Sequence, residues 1–234
     1  EVIIMDDASN EENRLEDIVN NYWFPIRLYR IEDSDRWWGK DPVVVSNLGI
    51  DAALGDIVIS QLPECCYIGD VLLDVSVRIS KNSAVMYACY GLSKSDTEAY
   101  LSGHVIHYSN VACDFSERDR SAWWCHPTIL TAEITMCYAM SKSNWYKIGL
   151  IDMKFKDGQG FSDHDIVEKS ILCGLYLSIP HYPHVLHLFH PHNVNNDYDI
   201  GLETNMHVYA RNRYIREKYT LLKQQLGIRR SIYD

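Results

Sequence analysis

Pro42-Val-Val-Val-Ser-Asn-Leu-Gly-Ile-Asp-Ala-Ala-Leu-Gly-Asp-Ile-Val-Ile-Ser60 is the stretch whose reading decides the fold. Pro42 suits the first position of a helix, because its φ is already helical and its missing N–H would have had no partner there. The spacing predicts a helix from Pro42 to Ala53 with Val45, Leu48 and Ala52 on one side. Gly55 stops that helix. Asp56-Ile-Val-Ile-Ser60 then reads as a strand, so a helix feeds directly into a strand across a short break.

Working outward, the same alternation continues on both sides. Upstream, Val2 to Met5 is a short apolar strand ending at Asp6-Asp7-Ala8-Ser9. Ser9 with Glu12 makes a capping-box pattern, and Leu15, Ile18, Val19 and Tyr22 recur at helical spacing. Ile26 to Ile31 reads as a strand, followed by a polar, Trp-containing loop from Glu32 to Asp41. Downstream, Gln61-Leu62-Pro63-Glu64 bounds the strand, Ile68 to Ile79 reads as a helix with Leu72, Val75 and Ile79 inward, and Ala84 to Tyr90 as another strand. Strands alternating with helices predict an α/β fold with a mostly parallel central sheet and helices on both faces. Ligands are then expected at the carboxyl ends of the strands.

The second half is less regular. Ser93 to Pro127 is polar and aromatic and reads as an irregular insertion. Ile134 to Met140 is a predicted strand, Ser143 to Ile148 a short helix, and Lys156-Asp-Gly-Gln-Gly160 a loop. Asp163 to Leu175 is a predicted helix that ends at Gly174, and Val185 to Phe189 a strand embedded in histidines. Met206 to Leu226 reads as a solvated helix with basic residues, ending at Gly227. The expected organisation is one domain over residues 1–200 with a C-terminal helical extension over 201–234.

Composition narrows the class. The chain has 234 residues, 47% hydrophobic, 23% charged and 12% aromatic, enough apolar material for a sizeable core. Lys plus Arg number 22 against 32 for Asp plus Glu, a net charge of −10 that argues against nucleic acid as a partner. Seven cysteines without a CxxC pair suggest reduced core thiols and a cytoplasmic chain rather than a disulfide framework. No apolar run approaches the ~18 residues of a transmembrane helix. The chain begins Glu1-Val2 with a buried-looking strand immediately after, so it is expected to be part of a larger polypeptide.

Several residues can carry chemistry, each with an ordinary structural role beside it. Asp7, Glu64 and Asp163 each lie where a strand or loop gives way to a helix, where a carboxylate serves equally as a cap or as a ligand. Asp6 shares the turn with Asp7, and Asp165 suits a helix first turn. Histidines 181, 184, 187, 190 and 192 crowd one segment. In a continuous strand, 184 and 190 would share one face and 187 the other. Trp123-Trp124-Cys125-His126-Pro127 and Trp37-Trp38-Gly39-Lys40 are aromatic patches that suit sugar stacking or a core.

Three segments together carry a family resemblance. The Asp6-Asp7-Ala8-Ser9 turn, the Asn47-Leu-Gly-Ile-Asp-Ala-Ala-Leu-Gly-Asp56 passage and Gly158-Gln-Gly-Phe-Ser-Asp-His-Asp165 resemble, in order and spacing over roughly residues 1–192, the family 2 nucleotide-sugar glycosyltransferases of the GT-A fold. The resemblance implies inverting transfer of a sugar from a nucleoside-diphosphate donor to an acceptor hydroxyl on a glycan or glycoconjugate. By the same resemblance Asp7 pairs with the nucleotide base, beside Asp6. Leu62-Pro63-Glu64 stands in place of the family's Asp-x-Asp, so Glu64 is left to hold Mn2+ or Mg2+ at the diphosphate. His190, with His187 as the alternative, resembles a late metal-ligating histidine.

Asp163 matches the family's general base, and Ser162 takes the position of an acid that contacts the acceptor. Trp124 and His126 are candidates for the acceptor side and Lys40 for the donor phosphates. The family's opening strand and helix have no counterpart in the sequence. Two rival readings remain: a module of the same fold that binds a nucleotide-sugar or glycan without catalysis, and a metal-dependent hydrolase centred on the histidines.

Overall fold

The structure, a computed structural model, describes residues 1–39, 41–114, 119–131, 134–191 and 196–225. The first elements are β1 (Val2–Asp7), α1 (Glu16–Val19), β2 (Ile26–Ile31) and α2 (Val43–Ala52). Next come β3 (Ile57–Gln61), β4 (Cys65–Ile68), α3 (Val71–Arg78), β5 (Ser83–Met86), β6 (Cys89–Gly91), α4 (Lys94–Leu101) and β7 (Ala122–Cys125). The remainder are β8 (Cys137–Ser141), α5 (Lys142–Lys147), α6 (Ser162–Leu172), β9 (Tyr176–Ser178), β10 (His184–His187) and α7 (Asn196–Gln225). They divide into two compact units. The first holds residues 1–56, 145–165 and α7, and the second holds residues 57–144 together with the described part of 166–194.

In the first unit β1 and β2 pair in parallel, from Val2 against Ile26 to Asp7 against Ile31. Between them the expected helix from Ser9 is reduced to a 3-10 turn at Glu11–Asn13 and the four-residue α1. The capping box does not form, because the Ser9 amide donates to Asp6 Oδ1 at 2.9 Å and Ala8 takes a left-handed φ of 61°. Helix α2 forms where the sequence placed it, but Val43, Val44, Val45, Asn47 and Ile50 are buried while Leu48 is exposed. The Asn47 amide explains the rotation. Its Nδ2 donates to the Ile151 carbonyl at 2.8 Å and its Oδ1 accepts the Ile151 amide at 3.0 Å, clasping the helix to a distant loop. A Cβ added at Gly49 would come within 3.2 Å of the Met5 side chain, so the glycine leaves room for that side chain against the helix.

Helix α7 is longer than expected and is not simply solvated. Asn205 and Asn212 are buried along it, and Arg216 pairs with the fully buried Asp165. Asn212 Nδ2 also donates to Asp152 Oδ2 at 3.0 Å. These polar contacts replace the apolar stripe that a sequence pattern would reveal.

The second unit has two four-stranded sheets, ordered β3-β8-β5-β9 and β4-β10-β6-β7. The fold is α/β as expected, but the sheets are mixed rather than mostly parallel. β5–β9 and β6–β10 are parallel, whereas β3–β8, β5–β8, β4–β10 and β6–β7 are antiparallel. The cause is that β8 runs back between β3 and β5, and β4 returns beside β10, without crossover helices. The single predicted strand Ala84–Tyr90 is two strands because the run changes partners. β5 pairs with β8, whereas Ala88 accepts from the Val185 amide and β6 continues beside β10.

Other departures are local. The predicted helix from Ile68 starts only at Val71, where Asp70 caps it by accepting the Leu73 amide at 2.9 Å. The residues before it form β4 against β10. The predicted irregular insertion contains α4, capped by Ser93, and β7. Among the described residues, which include all seven cysteines, no disulfide forms, and no helix is long and apolar enough to cross a membrane.

Candidate metal and donor site

Among the described residues, the second unit builds a compact donor cluster from two chain segments, the turn before β4 and the end of β10. After β3 the turn at Leu62–Glu64 closes with the Cys65 amide donating to the Leu62 carbonyl at 3.1 Å. β4 then runs antiparallel to β10, which brings Glu64 to the end where β10 finishes, and its carbonyl accepts the Leu188 amide at 3.0 Å. On the other side β10 lies parallel to β6, His187 opposite Gly91, with the Leu92 amide donating to the His187 carbonyl at 2.9 Å. Thr97 Oγ1 of α4 accepts the Phe189 amide at 2.9 Å and fixes the chain leaving the strand.

Because β10 ends at His187, His190 is not bound by strand alternation. One ligand atom each from Glu64, His187 and His190 lie within 4.8 Å of one another. The two imidazole rings are 5.3 Å apart. Thus His187 and His190, expected on opposite faces of a longer strand, come to one site. His187 is buried and the other two are half-buried. A carboxylate with two imidazoles suits a divalent transition ion such as Mn2+ better than Mg2+, which favours an all-oxygen octahedron.

Trp124 belongs to the same place. β6 and β7 shift register between Cys89 and Tyr90, which leaves Trp124 as the extra residue of a bulge. Its ring lies 4.6 Å from that of His187. His126, two residues on, goes elsewhere. It is buried, its Nδ1 accepts the amides of Thr128 and Ile129, both at 3.1 Å, and its ring packs on Trp123 and His181. Burial, with the neighbouring His181 charge, holds the His126 pKa below its ordinary value. His184, at the opposite end of β10, shares this aromatic cluster. Its Nε2 lies 2.9 Å from the Tyr108 hydroxyl, and burial pushes its pKa down to about 4.

The remaining acids lie in the first unit. Asp6 is buried, with Oδ2 accepting from Arg30 at 2.8 Å. Burial pushes its pKa up, but the Ser9 hydrogen bonds and the Arg30 charge outweigh that and hold it low. Asp6 therefore ties β1 to β2. Asp7 is more open. Its Oδ1 accepts from Arg36 Nε at 3.0 Å and its Oδ2 faces Trp38 Nε1 at 3.4 Å. Lys40 lies outside the described residues.

Asp163 is half-buried in the first turn of α6, after a loop in which Gly160 and Phe161 both take left-handed φ, 69° and 60°. The hydroxyl of Ser162 turns to Asp41, 3.4 Å from each of its carboxylate oxygens. Asp41 was missed by sequence reasoning, where it only closed a polar loop. It is 1% exposed and accepts Asn205 Nδ2 at 3.1 Å. Burial first, and the charge of Asp163 second, push its carboxyl up to about 7.

No protein-family model matches the chain, and no curated protein sequence matches it. Solved structures do. The crystal structure of GalNAc-T7 with UDP, GalNAc and Mn2+ aligns at a TM-score of 0.57 and 17% identity, over 81% of this chain and 38% of that one. S. aureus TarS 1-349 aligns at 0.52 and 14% identity, over 80% of this chain and 51% of that one. Its complex with UDP gives the same score over 82% and 52%. The chain has a GT-A-type fold. It spans 38% to 52% of the length of these glycosyltransferase structures.

Proposed function

We propose that this chain carries the donor and base residues of an inverting family 2 glycosyltransferase, which moves a sugar from a nucleoside-diphosphate donor to an acceptor hydroxyl on a glycan or glycoconjugate. The observation that carries this reading is the convergence of Glu64, His187 and His190 at the ends of β4 and β10, in a fold shared with a structure that holds UDP and Mn2+. Those three side chains would hold a divalent ion, with a transition ion such as Mn2+ favoured over Mg2+ by the two imidazoles. Such an ion supplies positive charge to a diphosphate leaving group.

The chain's own residues do the rest. Asp7 accepts the imide N–H of a uracil-type base, an acceptor-only role that an ionised carboxylate fills. Asp163 takes the proton from the attacking acceptor hydroxyl, a contribution of about 10²- to 10⁴-fold in typical enzymes. Trp124 presents an aromatic face beside the ion ligands on which a sugar ring can stack. Ser162, engaged by Asp41, positions the start of α6.

The test is a panel of nucleoside diphosphates and their sugars, each with and without Mn2+. A rise in melting temperature that needs both nucleotide and metal, followed by sugar transfer with inverted anomeric configuration, is expected. Binding without turnover would make the chain a nucleotide-sugar-binding module, and no response to any nucleotide would remove the reading altogether.

A further inference from the structure

Two carboxylates in the first unit are nearly or fully buried at the same helix, α6, yet they are treated differently. Asp165 is matched by the Arg216 guanidinium. Among the described residues Asp41 is matched by neutral donors: the Ser162 hydroxyl, Asn205 Nδ2, and the amides of Val43 and Gly160. Among the described residues no cationic side chain reaches it. Asn205 is itself wholly buried and held by a second bond to the Gly160 carbonyl at 2.9 Å, and a side chain at Gly158 would overlap its Oδ1. The cradle around Asp41 is therefore rigid and uncharged, with Asp163 the residue next to its Ser162 partner.

Neutral dipoles soften the burial of one negative charge, but they do not offset a second one nearby. Two carboxyl groups so placed titrate as a pair and hold one proton over a range of pH in which each alone would be ionised.

We propose that Asp41 and Asp163 form such a proton-holding pair, in which Asp41 is the positioning residue that fixes Asp163 through Ser162 and sets its strength as a base. This inference rests on the assignment of Asp163 as proton acceptor in the proposed transfer. Among the described residues, the charged group that acts on Asp41 is Asp163, the neighbour of Ser162 in the first turn of α6. Ser162 and Asn205, from α6 and α7, carry no charge, and neither do the two amides.

With Asp41 protonated, Asp163 is the ionised member and accepts the proton of the acceptor hydroxyl. When Asp41 loses its proton, the new negative charge disfavours the ionised form of Asp163 and so strengthens it as a base. Burial first, and the charge of Asp163 second, push the Asp41 carboxyl up to about 7, which places that change close to pH 7.

The experiment has two arms on the full chain. Carbon-13 NMR of the aspartate carboxyls should show a group titrating near pH 7 that vanishes in Asp41→Asn and titrates at a pH ~1 lower in Asp163→Asn, where the like charge is gone. Single-turnover transfer by the wild type should rise ~3-fold across the same pH range, and Asp41→Asn should lose that rise. A carboxyl titration unmoved in Asp163→Asn, or an unaltered pH profile in Asp41→Asn, overturns the pair. A wild-type chain that binds nucleotide and metal yet transfers nothing overturns the transferase reading, and with it the role of the pair in catalysis, while the NMR arm still decides whether the two carboxyls share a proton.

Discussion

The indole of Trp124 fills the space that a side chain at Gly91 would need, and the same indole lies 4.6 Å from the ring of His187, the residue paired with Gly91 across β6 and β10. The absence of a side chain at 91 thus sets how far Trp124 stands from the ion ligands. Gly91→Ala must displace the indole or the strand. Overpacking of this kind destabilises by about 1–3 kcal/mol. The expected outcome is a lower melting temperature together with weaker Mn2+ binding, and an alanine variant with both properties unchanged would mean that Trp124 is free to move aside.

Glu64 is the only carboxylate of the described cluster, so its removal leaves two imidazoles and takes away the negative charge that the cluster offers a divalent ion. Glu64→Ala should lower Mn2+ affinity by ~10-fold or more, since even residues that only support metal ligands are worth that much. Glu64→Gln, which keeps the shape, should lose nearly as much because it lacks the charge. Paramagnetic resonance of free Mn2+ measures this directly. Equal affinity in the wild type and both variants would move the ion elsewhere.

Asp163→Asn separates binding from chemistry. If this side chain acts as base, transfer falls by about 10²- to 10⁴-fold, while Mn2+-dependent nucleotide binding, measured by calorimetry, stays within about twofold because the assigned ligands are untouched. A variant that transfers at the wild-type rate would need another base, and Asp7 and Asp41 would be the first to examine.

Arg216 tests the docking of α7. Its guanidinium is the cationic partner of Asp165, which is 0% exposed, with Asn212 Nδ2 a further donor at 3.4 Å. Removing one side of a buried ion pair strands the other charge, which costs about 3–5 kcal/mol. Arg216→Met should therefore lower denaturant stability by that order, and the double variant with Asp165→Asn should recover a large part of it. A loss below ~1 kcal/mol in the single variant would show that the pair is worth no more than one on the surface.

How much of this could be read in the sequence depended on whether the signal was local. The Pro42–Ser60 passage was legible because its start, its stop and its strand are marked by residues within it. The short strands β4 and β9 were not, since four- and three-residue segments are strands only by virtue of their partners, β10 and β5. The alternation of elements revealed an α/β fold but not the direction of each strand, which is why the sheets were expected to be mostly parallel. Glu64, His187 and His190 were named from a resemblance, and the end of β10 at His187 brought both histidines to one place. Asp41 carried no signal at all, because its character comes from burial and from Ser162, 121 residues away.

Acid sensitivity of the second unit follows from His184. Burial is the main cause that pushes its pKa down to about 4, with the His181 and His126 charges adding to it, whereas an unfolded histidine titrates near ~6.5. Between those two values the unfolded chain binds the extra proton and the folded one does not, so stability rises with pH across that window. The contribution is complete above about 6.5 and is lost as the pH falls towards 4. His126 is shifted in the same direction, again chiefly by burial, and adds to the slope. His184→Phe removes the titrating group while retaining a ring for Trp123 and Tyr108 to pack against. It should also lose the contact with the Tyr108 hydroxyl, an offset that is the same at every pH. The expected result is a melting temperature that falls less steeply in the variant than in the wild type on going from pH 7 to pH 5. Parallel curves would mean that folding leaves the titration of His184 unchanged.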